Sequence, residues 1–150
     1  MNDQPIDSDI MHRWKENSAE QRARFADYTL DPAHTIKLHT HEGTARVLWN
    51  DTIIAESAAA VELHERKHEP VFYFPTDDVK TDLLTRTDNA THCPYKGDAS
   101  YWSLSIDGTS AENAVWAYES PIPAVLGIKG YMAFYLDSMG KNFGLNLETD

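Results

Sequence analysis

The stretch HCPYKGDASYW, residues 92–102, gathers a thiol, an imidazole and an amine within a few positions. These are the groups from which nucleophiles, general bases and electrostatic stabilisers are made. Cys93 is the chain's single cysteine. Pro94 biases it toward extended backbone, where neighbouring side chains point to opposite faces. His92 is therefore badly placed to be its base, and His34 or an aspartate would have to supply one. Lys96 stands immediately before Gly97, where a ligand and the backbone can approach closely. There it would offer a point charge to an anionic ligand or act as a desolvated amine. The plainer alternative makes Cys93 a small core residue and residues 94–97 a turn with Lys96 in solvent. The candidate catalytic set is Lys96, Cys93 and His92.

Aromatic residues supply candidate walls. Tyr73, Tyr101, Trp102, Trp116 and Tyr118 carry polar handles that seek hydrogen-bond partners when buried, so part of the set is expected to ring a cavity. Asn113, with Glu112 beside it, would add polar groups at the rim. These five rings and Asn113 form the candidate ligand-binding set.

Metal chemistry has two weaker signals. HERKH, residues 64–68, matches the H-E-x-x-H zinc pattern, which requires a helix to bring both histidines to one face. Pro70 follows closely, and Val61 and Leu63 alternate as in a strand, so a turn is the better reading. His39 and His41 are spaced to share one face of a strand, but the sequence implies no third ligand. One cysteine excludes a four-cysteine zinc site and an internal disulfide. The expectation is no metal and no cofactor.

The elements that must position these groups are mostly strands. ARVLWNDTIIAES, residues 45–57, reads as a hairpin around Asn50-Asp51, and Asp107-Gly108 marks another. PVFYFP, residues 70–75, is apolar throughout and suits a strand buried on both faces. TDDVKTDLL, residues 76–84, reads as one short helix capped by Thr76, with Val79 and Leu83 on its apolar face. GYMAFYLDSM, residues 130–139, fits strand or helix. Residues 1–30 read as a helical arm with few apolar positions. The arm is expected to be dispensable for folding of a β domain over residues 31–150. The fold expected is mainly β: a single-domain antiparallel sandwich or tent-like open barrel, with the arm and the short internal helix.

Bulk properties narrow the partners. Thirteen Lys and Arg against 24 Asp and Glu leave a net charge of −11. With basic residues scattered, nucleic acid and anionic membranes are disfavoured. No apolar run approaches spanning length, and the amino terminus lacks a basic-then-apolar signal layout. The expectation is a cytoplasmic protein that takes a small-molecule ligand; a homo-oligomer is compatible with it.

In order and with suitable spacing, PVFYFPTDDV, THCPYKGDASYWSL, ENAVWAYESP and GYMAFY resemble the blocks of the domain of unknown function 427 family, over about residues 45–137. The resemblance implies a compact, mostly β domain of the kind found in bacteria and fungi. Members are sometimes labelled nucleotidyltransferases. They usually read Phe-Pro-Arg where this chain has Phe74-Pro75-Thr76, so a phosphate role for that arginine does not transfer. The residues themselves point to binding or conversion of a small polar or anionic molecule near residues 92–97. The alternatives are nucleotidyl transfer, for which Asp78 and Asp82 could hold a divalent metal, and a non-enzymatic binding or accessory protein docking through its arm.

Overall fold

A computed structural model describes residues 33–150, and the expected helical arm lies outside the described residues. In chain order the strands are β1 (Ile36–Thr40), β2 (Ala45–Trp49), β3 (Thr52–Ser57), β4 (Val61–Glu65), β5 (Val71–Tyr73), β6 (Leu84–Cys93), β7 (Gly97–Ile106), β8 (Thr109–Tyr118), β9 (Met132–Phe134) and β10 (Leu145–Thr149). They form three antiparallel sheets, ordered β1-β4-β5, β10-β2-β3 and β6-β7-β8-β9. The mainly β, sandwich-like fold is the one expected, and the sheets do not close into a barrel.

The apolar run at β5 explains how the sheets join. Phe74 and Met132 exchange both backbone hydrogen bonds at 2.8 Å, so the first sheet continues into the third through β9. Consecutive side chains then enter different cores. Phe74 packs with Val47, Ile54, Leu104, Val115 and Phe134 between the second and third sheets. Tyr73 packs with Leu63, Tyr101, Trp116 and Tyr118 between the first and third. The end of β8 is thus covered on both faces, and residues 114–118 are all buried.

Both hairpin signals hold. Asn50 has φ 47°, and Asp107 and Gly108 have φ 47° and 81°, the positive values such turns demand. Residues 130–139 divide into β9 and a short 3-10 turn, Asp137–Met139. The single helix expected over residues 76–84 is instead two 3-10 turns, Thr76–Asp78 and Thr81–Leu83. Pairing overrides propensity here: Val79 bridges Ala55, and the Lys80 amide donates to the Ile54 carbonyl at 2.9 Å. Thr76 is not a cap; its hydroxyl donates to the Gly130 carbonyl at 2.8 Å. Among the described residues no helix is long and apolar enough to cross a membrane.

Candidate functional site

The segment after Cys93 is a turn, closed by the Lys96 amide donating to the Cys93 carbonyl at 3.1 Å. Gly97 is required there. Its φ is +116°, and a Cβ would stand 3.4 Å from both Pro121 Cα and the Ser120 carbonyl oxygen. What approaches Gly97 closely is the protein's own chain, not a ligand.

Lys96 is not a solvated turn residue. Strand alternation sends Glu65 to the inward face of β4, on the same side as Leu63, and its carboxylate receives the Lys96 Nζ at 2.6 Å. The two side chains are only 12% and 13% exposed. The other Glu65 oxygen lies 2.6 Å from His34 Nε2, and the His34 ring stacks on Tyr95 at 4.0 Å. Burial opposes ionisation of Glu65, but the charge and hydrogen bond of Lys96, with His34, outweigh it and hold the carboxyl below its ordinary range. The ammonium is thereby neutralised, so an anion would have to displace Glu65 to use it. The same geometry removes the H-E-x-x-H reading: His64 and Glu65 lie on opposite faces of a strand, and the chain turns at Lys67 with φ 66°.

His92 points away from Cys93, as extended backbone requires, and bonds Asp98 through Nδ1 at 2.6 Å. Cys93 is a half-buried free thiol packed against the Tyr73 and Tyr118 core. The two histidines considered as its base bond Asp98 and Glu65. Tyr73, Trp116 and Tyr118 are 1%, 8% and 6% exposed, which makes them core residues. The Trp116 indole donates to the Tyr73 hydroxyl at 3.3 Å. Burial pushes the phenols of Tyr73 and Tyr118 well above their ordinary value, so both stay neutral. Trp102 packs on the opposite face of the sheet, with the Arg86 guanidinium 5.2 Å above its ring.

Tyr101 and Asn113 do line a cleft, of about 510 Å³, together with Asn89, Thr91, Tyr135 and Lys141. It exists because both strands flanking β7 bulge at one level. On β6 the register slips between Arg86 and Ala90; against β8 it slips between Trp102 and Leu104. A bulge kinks a strand and re-aims its side chains, and such kinks are enriched beside active sites. Side chains take over the lost ladder bonds. Ser103 accepts from the Asn113 amide at 2.9 Å, and Thr87 accepts from the Asn89 amide at 3.2 Å while donating to Asn113 Oδ1 at 2.6 Å. Asn113 sits in the left-handed region at φ 53°, an uncommon conformation inside a strand.

The remaining wall is a loop. Asp137 Oδ1 accepts from the amides of Gly144 and Leu145 at 2.8 and 3.3 Å, closing a segment that brings in Lys141 and Phe143. Lys141 Nζ lies 5.3 Å over the Tyr135 ring, and the Tyr101 hydroxyl is 3.0 Å from Thr91 Oγ1. Glu112 also lines the cleft, so cation and carboxylate face one space. A second depression, of about 560 Å³ beside Arg46, has no aromatic wall. Its guanidinium already pairs with Glu56 and Asp150.

Sequence reasoning missed Asn89, Thr91, Tyr135 and Lys141. Bulges carry no pattern signal, and Lys141 arrives through a loop. Glu65 and His34 were visible, though in roles the topology does not allow.

These features define an open, antiparallel β domain with a tight, mostly buried ion pair and a polar, aromatic-walled cleft where two bulges meet. The chain belongs to the family described as a domain of unknown function (DUF427), whose profile matches residues 37–143 of 150. No curated protein matches the chain.

Proposed function

We propose that the protein binds a small polar molecule in the cleft between the β6 and β8 bulges. The observation that carries this reading is Asn113, held in a left-handed conformation on a bulge with its side-chain oxygen fixed by Thr87. Backbone strain persists only where its surroundings impose it, and it clusters at ligand sites. With that oxygen engaged, the amide NH2 is the group to offer a ligand. Tyr101, Tyr135 and Phe143 supply ring surface, Asn89 and Thr91 further hydrogen bonds, and Lys141 with Glu112 one charge of each sign.

That balance suits a neutral, zwitterionic or singly anionic ligand. A triphosphate would meet one lysine in a chain of net charge −11. Nucleotidyl transfer gains no support from the carboxylates either. Asp78 and Asp82 lie on separate turns, Asp78 accepts from the Ser57 hydroxyl at 2.6 Å, and neither joins a group of three potential metal ligands among the described residues. Lys96 and His92 are paired with carboxylates, so the reading assigns recognition and no reaction.

The test is saturation-transfer NMR against four probe classes: neutral polyols, zwitterionic amino acids, monocarboxylates and nucleoside triphosphates. Binding is expected in the first three. Asn113→Gly keeps the backbone conformation and should weaken a hit by roughly 1 kcal/mol or more, about fivefold upward. Hits confined to triphosphates, or hits unchanged in both Asn113→Gly and Lys141→Met, would sink the reading.

A further inference from the structure

The sequence-based expectation of no metal rested on the single cysteine and on histidine pairs for which the sequence implies no third ligand. Antiparallel pairing makes them converge. His39 lies directly opposite Glu62 in the β1–β4 register, and the Lys37–His64 pair, two positions along, is the next one on the same face. With a strand period of two, His39, His41, Glu62 and His64 all project from the face opposite Leu38 and Leu63. The Nε2 atoms of His39 and His64 stand 3.1 and 2.8 Å from the same carboxylate oxygen, Oε1 of Glu62. Their rings stack at 4.5 Å with an interplanar angle of 22°. The ligand atoms of the three side chains all lie within 4.8 Å of one another.

We infer that His39, His64 and Glu62 form a binding site for a divalent transition-metal ion of the zinc type. Two imidazoles and a carboxylate are a donor set that such ions accept, with other positions left to water. Bonds of about 2.0–2.2 Å at ordinary coordination angles place neighbouring donors about 2.9–3.4 Å apart. The two N–O separations already approach that range, so an ion can replace the shared protons with little movement. His39 is 57% exposed and His64 40%, which leaves the site open to entry from solvent.

His41 completes the arrangement as a positioning residue. Its Nδ1 lies 2.7 Å from Oε2 of Glu62, the oxygen the other two histidines do not use. Its side chain is 13% exposed, and its ring meets Phe72 edge-on at 5.2 Å. Its Nε2 is buried with no hydrogen-bond partner, so the ring's hydrogen bond is the one to Glu62. A second-sphere bond of this kind orients a ligating carboxylate and raises its affinity for the ion. This site lies apart from the proposed ligand cleft and does not depend on it.

The experiment is equilibrium dialysis of the full chain, without an affinity tag, against zinc chloride at neutral pH, followed by elemental analysis. About one zinc per chain is expected. His41→Phe should weaken binding about 10–100-fold, and His39→Ala and His64→Ala by more, whereas His68→Ala, in the exposed turn after β4, should have no effect. Long-range 1H–15N spectra of the wild type need no variant: zinc should shift the Nε2 signals of His39 and His64 and spare those of His68. Absence of stoichiometric uptake overturns the proposal. Uptake that persists in the His39→Ala/His64→Ala double variant, or zinc shifts confined to other histidines, does so equally.

Discussion

Lys96→Met is expected to destabilise the protein by about 2–3 kcal/mol at neutral pH. Removing one member of a buried ion pair strands the other, and losses of about 3–5 kcal/mol are typical. The lower figure applies because Glu65 retains its bond to His34 and both partners keep some solvent contact. Chemical denaturation of Lys96→Met, Glu65→Gln and the double variant would measure it. The double variant should lose clearly less than the sum of the singles, because neither charge is then left alone. The pH dependence has a definite sign. Glu65 is held below the ordinary carboxylate range, so its contribution is complete above the unfolded-state value and fades as pH falls through the folded one. The gap between wild type and Lys96→Met should therefore close in acid. A Lys96→Met cost within about 0.5 kcal/mol, the range of ordinary surface changes, would instead place the ammonium in solvent and restore it as a candidate anion contact.

Tyr73→Ala should cost about 3–5 kcal/mol, the range for truncating a large buried aromatic side chain. The residue is 1% exposed and touches both Trp116 and Tyr118, with ring centroids 6.3 and 6.5 Å away. Tyr73→Phe keeps that packing and removes only the acceptor of the Trp116 indole proton, so about 1–2 kcal/mol is expected. The pair of variants separates core from site. If Tyr73 is core, Tyr73→Phe leaves ligand affinity in the Tyr101–Asn113 cleft within about twofold while lowering the unfolding midpoint. A phenylalanine variant of normal stability that had lost binding would make the hydroxyl part of the recognition surface.

The two variants probe residues that look alike in sequence and differ in the fold. Lys96 enters the candidate site from its place before Gly97, and Tyr73 from its residue type. The fold gives both of them partners within the protein: Glu65, on a strand far away in sequence, pairs with the ammonium of Lys96, and Trp116 donates to the hydroxyl of Tyr73. Tyr101 and Asn113 came from the same list, and they do meet at a cleft.

What the sequence by itself determined follows from short-range physics. Alternation and β-branched runs specify strands, positive-φ residue types mark the hairpins at Asn50 and Asp107-Gly108, and Pro94 separates the orientations of His92 and Cys93. The block pattern identified the family. Apart from the two hairpins, tertiary structure alone decided which strands are neighbours, and with that which candidate residues meet. Pairing of β1 with β4 brings His39 and His41 to Glu62, beside His64 of the same strand, and pairing of β3 with Val79 leaves two turns in place of the expected helix. Slips on both sides of β7 open a cleft whose walls come from strands and a loop. The physical reason is that most of these partners lie on other strands, across a ladder or between packed sheets. Register and bulges are set by the total packing of both cores, a sum that no local stretch of residues contains.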